Sequence, residues 1–286
     1  ITASVSAKVT TITNGIPLLG QRVGANSPLL ISPHGETNQW TFYMLENTNA
    51  FTNVAFLTFA PPNLSGTARR GFHVPTLRNL EADIDLYVST DPALTNLDPA
   101  VIASSLKSTN RGGTEMIVLT NASAGPFYVG IKSEDQRGAE FGFFGVASEL
   151  PFSQQNPDGS VDVFFTPVPQ WVPDGSPENP GGITAFGFSL FPIEPRRVVV
   201  TNTISHQQFG DLVGTLSFGE QFVVLNNHSG LNGEEGGTET VIYNDLNEGD
   251  TPYAQTTDGP GSLVDFIGEQ SQGLWTFILQ DNALSV

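Results

Sequence analysis

Aspartates are the residues of this sequence whose type and spacing could do chemistry. Asp83 and Asp85 are two positions apart at the start of an apolar run. In a strand their carboxylates would lie on one face and repel each other unless a cation or an arginine neutralised them. Four further aspartates lie in a loop-rich stretch of the second half, at Asp245, Asp250, Asp258 and Asp265. Calcium takes about six to eight oxygen ligands, often from flexible loops. We predict that these aspartates bind Ca²⁺, with solvated acidic loops as the alternative.

Side chains used in catalysis are not grouped in a known motif. The histidines His34, His73, His206 and His228 lie far apart, without a His-Glu-x-x-His pair for zinc. The segment 32–35 (SPHG) is only superficially similar to a catalytic His-Gly segment, because no Gly-x-Ser-x-Gly or Gly-Thr-Ser-Met segment accompanies it. The chain has no cysteine, which excludes disulfides and thiolate chemistry. We predict that this chain is not an enzyme.

The charge is strongly negative and unevenly distributed. The chain carries 29 acidic and 11 basic residues, a net charge of −18. In residues 152–286 the only basic residues are Arg196 and Arg197. Such a surface repels phosphates, so we predict that neither nucleic acid nor an anionic membrane surface is a partner. Apolar runs are too short for a membrane span, so no membrane insertion is expected.

Composition and pattern predict an all-β protein with little or no helix. The 30 glycines and 20 prolines break helices too often for a helical bundle. Residues 1–9 alternate strictly between apolar and polar, which is typical of a half-buried strand. Other short apolar runs are separated by Gly/Pro turns, the pattern of an antiparallel sandwich. We expect one short helix within residues 92–107, interrupted by Pro99.

A polar, Pro- and Gly-containing segment at 153–159 indicates a domain boundary. We predict two tandem antiparallel β-sandwiches, jelly-roll-like, at residues 1–151 and 152–286. The first is expected to include an N-terminal strand at 1–12.

Three segments of the first half occur in the order found in a known family. They are residues 81–88 (EADIDLYV), 113–119 (GTEMIVL) and 124–131 (AGPFYVGI). Over roughly residues 36–148 the chain resembles the bacterial pre-peptidase C-terminal domain. The resemblance implies a jelly-roll-like sandwich attached to secreted peptidases, in a family that includes collagen-binding modules of clostridial collagenases, with calcium in some relatives.

The second half carries another ordered set of motifs. The set comprises residues 198–206 (VVVTNTISH), 209–216 (FGDLVGTL), 261–269 (GSLVDFIGE) and 273–281 (GLWTFILQD). Residues 160–286 resemble the P domain, the β-sandwich that follows the catalytic domain in proprotein convertases and many bacterial subtilases. In some relatives this domain also binds calcium. We expect Trp275 to lie in the core and His206 to be a structural, hydrogen-bonded residue.

P domains continue past this last segment into a final strand, and the second sandwich is therefore predicted to lack its last strand. The sheet would then have an open edge, and proteins seldom leave such an edge unpaired. The alternating strand 1–9 of a neighbouring copy has a suitable pattern to fill it. Pairing of that strand within its own first domain is the favoured alternative.

These observations leave three functions open for a protein predicted to be secreted or on the cell surface. The first is a non-catalytic module for binding or adhesion, whose partner is a protein or an extracellular matrix or cell surface. The second is a structural subunit whose N-terminal strand completes the next copy in an extracellular filament. The third is the C-terminal accessory region of a secreted subtilisin-like protease.

Overall fold

The computed structural model describes residues 7–24, 39–59, 83–134, 139–229, 236–246 and 248–283. The chain divides into two compact units, Ile1–Pro151 and Phe152–Val286. The histidines His34 and His73, the segment 32–35 and residues 1–6 of the predicted N-terminal strand lie outside the described residues.

The described residues of the first unit form mainly short strands. In chain order these strands are β1 (Val9–Thr11), β2 (Leu18–Val23), β3 (Trp40–Asn47), β4 (Asn53–Phe59), β5 (Ile84–Ser89), β6 (Leu106–Ser108), β7 (Met116–Leu119), β8 (Gly125–Ser133) and β9 (Ala139–Ser148). A 3-10 helix, Pro92–Asn96, and the α-helix α1 (Pro99–Ser104) lie between β5 and β6.

Two sheets of the first unit pack face to face. Their strand orders are β1-β3-β8-β5-β6 and β2-β9-β4-β7, and every pairing is antiparallel except that of β1 with β3. The core between them takes alternate residues of β5, Ile84, Leu86 and Val88, because successive side chains of a strand point to opposite faces. Asp85 and Tyr87 therefore lie on the other face of that sheet.

Pro99 begins the helix that it was expected to interrupt. Asp98 precedes it in an extended conformation, and its carboxylate accepts hydrogen bonds from the backbone N–H groups of Ala100 (2.9 Å) and Val101 (3.2 Å). Proline suits the first turn of a helix because the N–H group it lacks would have no partner there. The prediction was wrong about the role of Pro99, which starts α1.

The described residues of the second unit are also almost entirely strands and loops. These strands are β10 (Ser153–Gln155), β11 (Val161–Val163), β12 (Phe165–Thr166), β13 (Gly181–Ser189), β14 (Val200–His206), β15 (Leu212–Phe218), β16 (Gln221–Asn227), β17 (Gly237–Tyr243) and β18 (Gly273–Asp281). Short 3-10 helices lie at Phe209–Asp211 and Leu263–Phe266.

One antiparallel sheet of the second unit has the order β12-β13-β18-β15-β16, and the pairs β14-β17 and β10-β11 form two smaller sheets. Ile204 of β14 and Tyr243 of β17 share a core with Leu216 and Trp275 of the larger sheet. Strand β11 of a smaller sheet also packs closely on the larger sheet. A Cβ atom built on Gly187 of β13 would lie only 2.8 Å from Val163 Cγ1 of β11. The predicted all-β fold of antiparallel sandwiches is confirmed.

Within the described part of the chain, no helix is long and apolar enough to cross a membrane.

Candidate functional site

Asp83 and Asp85, the predicted calcium ligands of the first unit, are held by different groups of the protein. Asp83 Oδ1 accepts a hydrogen bond from the backbone N–H of Gly112 at 3.0 Å. Asp85 is only 5% exposed, and its Oδ2 accepts one from the Tyr87 hydroxyl at 3.2 Å. Burial raises the pKa of Asp85, and the nearby charge of Glu134 raises it further. The cation opposite Asp85 across the sheet is Lys132 of β8.

Glu115 is a buried carboxylate that the sequence analysis did not single out as a site residue. It is 1% exposed, and its Oε2 accepts hydrogen bonds from the Ser108 hydroxyl and from Asn110 Nδ2. Its Oε1 has no hydrogen-bond partner among the described residues. Burial raises the pKa of Glu115, and the charge of Asp85 adds to the increase. A signal was present, because glutamate is uncommon directly before an apolar strand.

We expect the stability gained by Glu115→Gln, relative to the native chain, to increase as the pH rises. The raised pKa means that the folded chain holds this proton more tightly than the unfolded chain does. The native chain therefore loses stability as the pH rises from the ordinary value of 4.5 through the raised folded value. Glutamine does not ionise, so the Glu115→Gln variant does not lose this stability as the pH rises. Urea unfolding of both proteins at several pH values between about 4 and 7 measures the difference. The exposed Glu149→Gln serves as the control, and equal pH dependence of all three proteins would contradict the prediction.

Asp245 of the second unit is surrounded by hydrogen-bond donors. Its two oxygens accept from the N–H (2.8 Å) and hydroxyl (2.9 Å) of Thr257, the hydroxyl of Ser262 (2.7 Å) and the N–H of Leu263 (2.7 Å). Burial opposes ionisation, but these hydrogen bonds outweigh it and lower the pKa of Asp245 below its usual value. Asp245 thus holds a loop together through four hydrogen bonds.

The other three predicted ligands of this unit are also occupied by protein groups. Asp250 accepts from Arg197 Nη1 at 2.6 and 2.8 Å. Asp258 accepts from the N–H of Asn227 at 2.7 Å and from the hydroxyl of Ser229. Asp265 caps a 3-10 helix by accepting the N–H of Ser262 at 2.8 Å. These donors compete with a cation for the carboxylate oxygens, and calcium binding by these three side chains stays a prediction.

In the described ranges no three His, Asp or Glu side chains are gathered as ligands for one ion. We expect calcium, compared with EGTA, to leave the backbone amide NMR signals of Thr257 and Leu263 unchanged, because their N–H groups already bind Asp245. A saturable shift of those two signals on addition of calcium would contradict this prediction.

A groove of about 660 Å³ lies on the second unit. One wall consists of residues 158–163, which include β11, and the other of residues 193–201, which include the start of β14. Apolar side chains of the larger sheet line it, among them Phe165, Leu216 and Trp275. The groove thus reaches the core of the sandwich between its two smaller sheets.

Each wall of the groove includes residues of a strand that has an unpaired edge: β11 in one wall and the first two residues of β14 in the other. Among the described strands, β11 pairs only with β10 and β14 only with β17. No backbone hydrogen bond joins Val198 or Val199, just before β14, to another described residue. Such an edge presents N–H and C=O groups that an added strand can satisfy. The volume agrees with this use: a strand residue between packed sheets takes up about 3.3 × 4.8 × 10 Å, so the groove holds about four residues.

The groove is bordered by charge. The carboxyl-bearing residues Asp158, Asp162 and Glu194 line it together with Arg196 and Arg197. Arg197 is held by Asp250, and Arg196 Nη1 lies 3.4 Å from Glu248 Oε1. Both arginines therefore already have carboxylate partners, and the free charge at the groove is negative.

Comparisons with known proteins add little to this geometry. No protein-family model matches the sequence, and no curated protein matches it. Among solved structures, the chain is similar to the crystal structure of the pre-peptidase C-terminal domain of collagenase from Bacillus anthracis, at 8% identity and a TM-score of 0.32. The match covers 50% of this chain and 99% of that one. At this TM-score the similarity carries no argument, and the resemblances of both halves to known families stay predictions from their motifs.

Proposed function

We propose that this chain is a non-catalytic, extracellular binding protein whose second unit takes up an extended peptide segment as an added β-strand. The observation that carries the proposal is the groove between the unpaired edges of β11 and β14, with Leu216 and Trp275 among its lining residues. Backbone groups of the two edges supply affinity, and the apolar lining selects the side chains that point inward. The extracellular location and the relation of the two units to pre-peptidase C-terminal and P domains are part of the proposal and rest on the sequence motifs.

The bound segment has recognisable chemistry. It is extended, it contains no proline at its centre because each of its N–H groups faces an edge, and it has apolar residues at alternate positions. Acidic segments are disfavoured, since Asp158, Asp162 and Glu194 line the groove.

The test uses a fluorescein-labelled peptide of seven alternating threonine and valine residues, titrated with the full chain and followed by fluorescence polarisation. We expect saturable binding, and no binding of the same peptide with proline at its centre. Equal binding of the two peptides, or no saturable binding of either peptide to the full chain or to a chain lacking residues 1–7, would overturn the proposal.

A groove-filling variant locates the binding. Val161→Trp places an indole in the groove wall and is expected to weaken binding by at least about tenfold. Phe222→Trp adds the same group on β16, where the side chain is 48% exposed and does not line the groove, and should bind as the native chain does. Amide hydrogen exchange of the native chain provides a second measurement that needs no variant, because bound peptide should slow exchange in residues 161–163 and 198–201.

A further inference from the structure

The sequence contains a segment with the chemistry that the groove is proposed to bind. Residues 1–7 (ITASVSA) have apolar side chains at every odd position, contain no proline and carry no charged side chain. At about 3.3 Å per residue they extend over about 23 Å, enough to provide the four or so residues that the groove accommodates. Small apolar side chains such as alanine and valine also suit a groove of this volume.

The charge next to the segment is complementary to the charge of the groove. Lys8 directly follows the segment and is the only charged side chain among residues 1–20. Carboxylates line the groove, and its two arginines are already paired with Glu248 and Asp250. An apolar segment followed by one cation therefore meets an apolar groove bordered by negative charge.

The N-terminal part of the chain is anchored in its own unit from residue 9 onward. Val9, Thr10 and Thr11 form β1 and pair in parallel with Phe42, Tyr43 and Met44 of β3. Ala7 and Lys8 precede this strand and belong to no sheet. The pairing anchors the chain at residue 9, two residues after the end of the segment 1–7.

We propose that residues 1–7 of a second copy occupy the groove of the second unit, so that copies join head to tail. This inference rests on the proposed function, which it deepens by naming the bound segment. Because the donated segment belongs to one unit and the groove to the other, the contact is heterologous, and repetition gives an open chain of subunits or a closed ring.

Two variants separate donor from acceptor. A chain lacking residues 1–7 keeps an open groove but has nothing to donate, whereas Val161→Trp keeps the donor and fills the groove. Size-exclusion chromatography with light scattering is expected to show concentration-dependent oligomers for the native chain. Each variant alone should be a monomer of about the 30.5 kDa chain mass.

An equimolar mixture of the two variants is the decisive measurement. One donor and one open groove are present, so the mixture should form a heterodimer of twice the chain mass and nothing larger. Phe222→Trp should form oligomers as the native chain does. A monomeric native chain at all concentrations, unchanged oligomers after deletion of residues 1–7, or no heterodimer in the mixture would each overturn the inference.

The failure of this inference is distinguishable from that of the proposed function. If the Thr-Val peptide binds the deleted chain but the mixture does not form heterodimers, the groove binds strands and the occupant is not a second copy. Concentration-independent protection of the groove in a monomeric native chain, lost on deletion of residues 1–7, would show that the chain's own segment fills it. Absence of peptide binding to any form would overturn both.

Discussion

Replacing Trp275 with alanine is expected to lower the free energy of unfolding by about 4 kcal/mol, as large-to-small substitutions of buried aromatic residues do. Trp275 is 6% exposed and stacks on Phe218 at a ring-centroid distance of 4.7 Å. Phe266 also packs against it, at a ring-centroid distance of 5.0 Å, and Trp275 Nε1–H donates to the backbone carbonyl of Ser271 at 3.2 Å. The substitution removes all of these contacts and leaves a cavity that the two sheets cannot close.

Urea unfolding followed by far-UV circular dichroism measures this loss without depending on the fluorescence of the deleted residue. Trp275→Phe keeps most of the apolar area and should lose about 1–2 kcal/mol. Trp171→Ala is the matched control, because this tryptophan is 84% exposed and its loss should change stability by no more than about 0.5 kcal/mol. Similar losses for Trp275→Ala and Trp171→Ala would show that Trp275 is not the centre of the core.

Removal of the His206 side chain is expected to cost about 3 kcal/mol, because it leaves the buried carboxylate of Asp281 without the imidazole that lies against it. His206 Nε2 lies 3.3 Å from Asp281 Oδ2, and the Asp281 side chain is 1% exposed. The two residues end β14 and β18, so the contact joins the smaller sheet to the larger one. Asp281 Oδ2 is buried and has no hydrogen-bond partner among the described residues, so the imidazole of His206 is the group that lies against it.

A double-mutant cycle of His206→Ala and Asp281→Asn checks this explanation. Asparagine removes the charge of Asp281 but keeps its shape. In that background the loss of unfolding free energy caused by His206→Ala should be smaller by about 1 kcal/mol, a coupling of the size measured for residues in contact. Chemical denaturation of the four proteins at neutral pH measures the coupling. Strictly additive losses would mean that His206 stabilises the protein through packing alone.

Local patterns were sufficient to predict strands but not their partners. The strand Ile84–Ser89 has alternating core residues, and this periodicity is visible in the sequence without knowledge of the fold. The parallel pairing of β1 with β3 has no such signal, because it depends on where two distant segments meet. Pro99 was misjudged for a different reason: its effect depends on whether it lies inside a helix or at its first position, and Asp98 sets that position.

The candidate site was less predictable than the fold. Aspartate spacing says where carboxylates are, but not that Thr257, Ser262 and Leu263 point their donors at Asp245. The groove combines residues 158–163 with residues 193–201, and no periodicity links these two segments. The prediction of an open edge in the second half came from a family pattern, whereas the groove is defined by the strands that border it.

The pairing of Arg196 and Arg197 with carboxylates has a consequence for how copies of this protein approach one another. With both of its basic groups already engaged, the second unit presents an almost uniformly anionic field to an incoming molecule. That field extends over a Debye length, about 30 Å in dilute buffer and about 8 Å at physiological ionic strength. Salt therefore weakens the repulsion between copies. Molecules that repel one another at low ionic strength can approach to contact distance at high ionic strength.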